Sequence, residues 1–220
     1  MGIIGAVLCA VSDLLFEGMP VSGKEVTFEN MALLIPYGRT IAGALLGVLV
    51  IPLWLFILVP MYYALKPAGK WFVIPVILLF AHYIAVATAY HGSYALYTAG
   101  YYALANVGGE SKTILLEMIE KFMAFKTGLF YTVAITNFLG SIWFIITVLF
   151  RPTLYKRWMV IFTPLLTMQL RILCKQLPAP IGGYILPPTG SILFAVFFLI
   201  TTLVSWNYNG EAKNEFNAGI

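Results

Sequence analysis

The chain has 220 residues, of which 61% are hydrophobic and 10% charged, with a net charge of +4 and a mean hydropathy of +0.91. A soluble domain carries about 25% charged residues, so this chain lacks the polar surface to face water and its solvent is a bilayer. Apolar runs of about 20 residues match ~30 Å of hydrocarbon. Backbone groups in lipid must be paired internally, which makes these runs helices, and the alternating segments of a membrane barrel are absent. The small positive charge sits in two short loops, which excludes a nucleic-acid surface.

In chain order the sequence predicts an all-α, polytopic transmembrane helical bundle of six spans. The first covers roughly 2–17. No basic stretch precedes it and no small-residue cleavage site follows, so it reads as a retained, rather short helix. A polar stretch leads to Arg39. The second span, about 40–64, is expected to be broken by Pro52 and Pro60. The Lys66–Lys70 turn precedes a third span at about 71–105, and Gly108-Gly109 ends it. An amphipathic segment, 111–122, runs into the fourth span at about 123–150 and is expected to lie in the interface. Phe28–Ile35, with Thr27 as N-cap, is a second segment of that kind. After the Arg151–Arg157 turn come a fifth span at about 158–176 and a proline-rich segment, 178–188, that cannot form a regular helix. The sixth span is about 189–206. Residues 1–210 read as one transmembrane domain and 211–220 as a polar C-terminal tail.

Short loops rich in Lys and Arg stay cytoplasmic. The 65–70 turn carries two such residues and the 151–157 turn three. Both connect even to odd spans, so both termini are expected in the cytoplasm.

The third span holds Tyr83, Tyr90, Tyr94, Tyr97 and Tyr101. At ~100° per residue they share an arc of ~60°. The opposite face carries Ala85, Gly92 and Ala99, small residues that allow close helix contact in lipid and a homo-oligomer through that face. By depth, Tyr94, Tyr97 and Tyr101 read as an aromatic belt at the interface. Tyr83 and Tyr90 lie too deep for that and need partners inside the protein.

A polar layer is the stronger functional signal. Measured at ~1.5 Å per residue from their cytoplasmic ends, Asp13, His82, Asn137, Gln169 and Arg171 fall ~17–21 Å up four helices. A charged residue at such depth costs about 2.5–3.5 kcal/mol on insertion scales, so Asp13 and Arg171 are expected to face the bundle interior and pair there. His91, near the outer boundary, lies within expected reach of Arg39 and Glu17. His82 and His91 are nine residues apart and point ~180° from one another, so they cannot share a metal ion. No ligand spacing is recognisable along the chain, and neither a metal nor a cofactor is expected. Cys9 and Cys174 read as free thiols.

Gly2-Ile-Ile-Gly-Ala, Ser12-Asp13-Leu-Leu and the proline-rich segment before a Phe-rich helix at 178–198 resemble an uncharacterised family of small bacterial multi-pass membrane proteins. The resemblance implies an inner-membrane location and no known activity.

Three functions fit these readings. One is an outward-facing pocket that binds or transports a small amphipathic, anionic molecule. Arg171 would face the anion, with Gln169, Asn137, Tyr83, Tyr90, His91 and Arg39 around it. The second is an intramembrane enzyme acting on a lipid-soluble substrate with His82 and Asp13 as acid–base pair. The third is a non-catalytic assembly partner. Membrane lipid is the expected surrounding in all three.

Overall fold

The computed structural model describes residues 1–217; residues 218–220 and the side chains at 28, 29, 167, 168 and 207–217 lie outside the described residues. Nine α-helices are described: α1 Gly2–Glu17, α2 Phe28–Leu34, α3 Tyr37–Val50, α4 Leu58–Leu65, α5 Lys70–Leu104, α6 Gly109–Phe150, α7 Pro164–Cys174, α8 Ile181–Ile185 and α9 Thr189–Asn217. No strand occurs among the described residues. Four described segments are long and apolar enough to cross a membrane: Tyr37–Ala68, Lys70–Leu104, Gly109–Phe150 and Thr189–Trp206. Helix α1, with 16 residues, and α7, with 11, are shorter than the ~20 residues a straight span needs.

The prolines of the second span do not break it. Pro52 starts a 3-10 stretch, Ile51–Ile57, that joins α3 to α4 as one rod. Proline lacks the N–H that an α-helical interior uses, and a short 3-10 segment absorbs that loss. The interfacial reading of 111–122 is corrected: this segment is part of the continuous 42-residue α6, about 63 Å long at 1.5 Å per residue. Ile119, buried on α6, packs on Gly100 of α5, which draws the segment along α5 as an antiparallel pair. Thr27 does cap α2, its Oγ1 accepting from the Asn30 N–H at 3.2 Å. Helix α9 continues to Asn217 and so takes in most of the expected tail.

Helix α1 sits centrally against α3 and α9, α3 packs on α5, and α5 on α6. The α1–α3 seam is glycine-built. A Cβ at Gly43 would stand 2.9 Å from the Phe16 N and Ser12 O atoms, and one at Gly5 2.9 Å from Val50 O. Gly43 and Gly47 form a small-x-x-x-small ridge that lets two backbones approach. The Ser12 hydroxyl donates to Gly43 O at 2.7 Å across the same seam.

The proline-rich segment is stitched to the 18–25 loop. Gly23 N–H donates to Leu177 O at 3.0 Å, Gly183 N–H to Val21 O at 2.8 Å and Met19 N–H to Gly183 O at 3.2 Å. Gly182 and Gly183 lie flat against that backbone, where a side chain would collide with it.

Candidate functional site

A cavity of about 220 Å³ opens between α1, α5, α6, α7 and α9. Its walls are aromatic: Trp54, Tyr83, Tyr90, Tyr94, Phe130 and Phe194. Tyr83 stacks on Phe194 with ring centroids 5.3 Å apart and 18° between planes. Its polar groups are Cys9, Asp13, Glu17, His91, Asn137, Arg171 and Ser191.

Asp13 is the hinge of the polar wall. Its Oδ2 accepts from the Ser191 hydroxyl of α9 at 2.6 Å, and its Oδ1 lies 3.3 Å from His91 Nε2. Cys9, one helical turn earlier on α1, puts Sγ 3.8 Å from the same nitrogen. The spacing of four residues aligns Cys9 and Asp13 on one helix face. Phe16 meets the His91 ring edge-on with centroids 5.1 Å apart. On its other side the ring leans on Gly47, where a Cβ would come within 2.5 Å of Nδ1.

Three buried polar atoms on cavity residues have no hydrogen-bond partner among the described residues: Trp54 Nε1, Asn137 Oδ1 and His91 Nδ1. Trp54 is 3% and Asn137 7% exposed. The large majority of buried side-chain polar atoms in proteins are paired, and an unpaired one costs about 1–3 kcal/mol. Trp54 Nε1 is a donor and Asn137 Oδ1 an acceptor, and His91 Nδ1 is one or the other by tautomer.

The sequence-derived site residues divide. Asp13, Asn137, Arg171, Tyr83, Tyr90 and His91 all line the cavity. Arg171 Nη1 donates to Leu186 O and Pro187 O, both at 3.2 Å, and so braces the chain entering α9. Gln169 is exposed. It lies ~200° around α7 from Arg171, so one side chain excludes the other from the same site. His82 is also exposed and forms no pair with Asp13; His91 holds that position. His82 and His91 flank the tyrosine stripe on opposite sides, and α1 and α3 pack on the His91 side. Arg39 does not reach His91: its Nη2 donates to Leu14 O at 2.7 Å and to Gly18 O. Carbonyls at a helix C-terminus lack intrahelical donors and attract cations, so Arg39 caps α1.

The belt reading is corrected for Tyr94 and Tyr97. Tyr94 and Tyr97 are 6% and 5% exposed. They and Tyr90 surround Lys126 of α6, whose Nζ lies 3.5 Å from the Tyr94 ring centroid, 5.0 Å from Tyr97 and 5.6 Å from Tyr90. The stripe is a cation–π cage at one end and a cavity wall at the other. The Tyr90 and Tyr94 hydroxyls, 3.0 Å apart, join the two.

Sequence reading passed over Lys126, because lysines near span ends ordinarily snorkel to the interface. It also passed over Ser191 and the role of Cys9. The signals that point to this seam are Cys9-x-x-x-Asp13 and Gly43-x-x-x-Gly47, each a one-turn repeat on a helix face.

An all-helical bundle with four membrane-length helices and a polar, aromatic-walled cavity defines an integral membrane protein. Residues 1–208 match the model of a family of unknown function, DUF6796, and the chain belongs to that family. Comparison with curated proteins and with solved structures gives no match.

Proposed function

We propose that the chain is a six-span inner-membrane protein, both termini cytoplasmic, whose outward-facing cavity binds or transports a small amphipathic molecule. Helices α1 and α7 count as spans in this reading, α7 together with the 3-10 turn Arg157–Phe162 before it. The observation that carries it is the unpaired Trp54 donor and Asn137 acceptor on the wall of one aromatic cavity. Ligand sites are mostly apolar with a few placed polar groups, and a hydroxyl or amide on the ligand would serve both atoms. The cavity is smaller than the ~300–1,000 Å³ of drug-sized sites, so the bound part is a headgroup or a small molecule. Arg171, on the same wall, supports an anionic or carbonyl group there.

The test is mass spectrometry of small molecules that co-purify with the full chain, combined with thermal stabilisation by lipid-extract fractions. Asn137→Leu is expected to abolish both effects, whereas His82→Ala leaves them unchanged. Equal occupancy and equal stabilisation in Asn137→Leu and wild type would remove this reading.

The 3.3 Å approach of His91 Nε2 to Asp13 Oδ1 on the cavity wall favours a second reading, an acid–base enzyme for a lipid-soluble substrate. His91 takes the part that sequence depth assigned to His82. Turnover of an extract component that His91→Ala abolishes and His82→Ala retains supports it; loss in His82→Ala alone excludes it.

A further inference from the structure

We infer that Cys9, Asp13 and His91 form a metal site for a borderline-soft divalent cation of the zinc class, with an open coordination position on the cavity. One ligand atom from each residue lies within 4.8 Å of the other two. The nitrogen–oxygen edge is 3.3 Å and the nitrogen–sulfur edge 3.8 Å. Zinc bonds of about 2.0–2.1 Å to nitrogen, 2.0–2.2 Å to oxygen and 2.3 Å to sulfur produce tetrahedral edges of roughly 3.3–3.6 Å. The nitrogen–oxygen edge already has this length, and Sγ, 3.8 Å from the nitrogen and within 4.8 Å of the oxygen, closes the set by moving inward.

Hydrogen bonding alone explains the arrangement less well. Both the carboxylate and the thiol converge on one nitrogen, Nε2, which has a single site for one proton or one metal bond. A Cys–His–Asp catalytic relay would instead place them on opposite ring nitrogens, as the triad geometry requires.

The surroundings fit a ligand set. Ser191 holds Oδ2 and leaves Oδ1 turned to the site, the kind of outer contact that orients a ligating carboxylate. Phe16 and Gly47 flank the His91 ring, whose Nδ1 has no hydrogen-bond partner among the described residues. Cys9 and Asp13 are both buried. Mixed sulfur, nitrogen and oxygen donors select zinc-class ions over magnesium or calcium, which take oxygen ligands. Three protein ligands beside a cavity match a zinc site that keeps one position for water or substrate. The site stands on its own geometry and does not depend on which molecule fills the cavity.

The experiment uses the full chain, purified in detergent, stripped with a chelator and titrated with Co²⁺, then displaced with Zn²⁺. One equivalent of Co²⁺ is expected to bind, with thiolate-to-cobalt charge-transfer absorption in the near ultraviolet that Zn²⁺ abolishes. Cys9→Ser should remove the charge-transfer absorption, and His91→Ala should weaken binding at least tenfold. Cys174→Ser should change neither. Should Cys9→Ser fail to fold, Asp13→Asn serves, with weakened binding and the sulfur band retained. The inference is overturned if wild type takes up no stoichiometric Co²⁺, or if the absorption survives loss of Cys9 and disappears with Cys174.

Discussion

The two halves of the bundle are built on opposite rules. Near the Lys66–Lys70 and Arg151–Arg157 turns, the interior is dry and aromatic: Phe144, Phe197, Met61 and Leu65 are fully enclosed. Its buried polar contact, the Tyr155 hydroxyl donating to Thr201 Oγ1 at 3.0 Å, is neutral and closed. The other half holds Asp13, Glu17, His91 and Arg171 around a cavity, with Lys126 in the adjoining tyrosine cage. The difference teaches that apolar packing closes the first half, whereas the second gathers the ionisable groups around an open space. Three of these groups each have their own partner: Asp13 pairs with His91, Arg171 with backbone carbonyls and Lys126 with tyrosine rings. Removing one member of such a set leaves the other uncompensated, which costs more than removing both.

The largest expected effect breaks the dry half. Phe197→Ala opens a hole among Phe80, Phe144 and Phe198 and should cost about 3 kcal/mol, read as a lowered unfolding midpoint. Asn137→Leu in the polar half should leave that midpoint nearly unchanged or raise it, since it replaces an unpaired acceptor. Equal losses from both would dissolve the contrast between the halves.

Gly47→Ala acts at the seam. Its Cβ would meet His91 Nδ1 at 2.5 Å and Ser12 Oγ at 2.9 Å, so α3 or the ring must move. A loss of about 1–3 kcal/mol is expected, together with loss of Co²⁺ binding. Unchanged stability and binding would mean that the seam is loose.

Next comes the tyrosine cage. Tyr94→Leu strips its nearest ring from a buried ammonium, at about 2 kcal/mol. Adding Lys126→Met should recover part of that loss, because the charge goes with its cage. A fully additive double variant would show that the two side chains do not interact.

The smallest effect lies in the 18–25 loop. Glu25 accepts from the Ser22 N–H at 2.9 Å and the Ser22 hydroxyl at 2.7 Å, and these bonds hold its carboxyl below the usual range. A lowered folded pKa contributes stability that is present above the unfolded value, ~4.3, and lost as pH falls through the folded one. Wild type should therefore lose a slight advantage over Glu25→Gln on acidification, seen by comparing unfolding midpoints at neutral and acid pH. Ala85, exposed on α5, tests assembly. Gly92 of the expected face packs on Val48 of α3. Ala85→Leu therefore tests an oligomer through the exposed Ala85 end of that face without touching the cavity, and a change in sedimentation is the result that would support it. An unchanged sedimentation profile would exclude that face.

Much of the site was legible because burying charge in lipid is expensive. Asp13 and Arg171 had to point inward, and they do; Asn137, Tyr83 and Tyr90 join them on the cavity wall. Depth along a helix, however, says nothing about azimuth. It ranked His82 with Asp13, and it could not see that Gln169 stands on the far side of α7 from Arg171. It also sent Arg39 toward His91, although the open carbonyls at the end of α1 lie closer.

Composition and periodicity alone determined that this chain is helical, that its surroundings are lipid, that its tyrosines share one face, and that His82 and His91 flank that face on opposite sides. Only the tertiary structure decided which flank faces inward. The physical reason is the glycine seam: Gly43 and Gly47 let α1 and α3 close on one side of α5, and whatever lay on that side became the interior. His91 lay there with Cys9 and Asp13; His82 was left facing out.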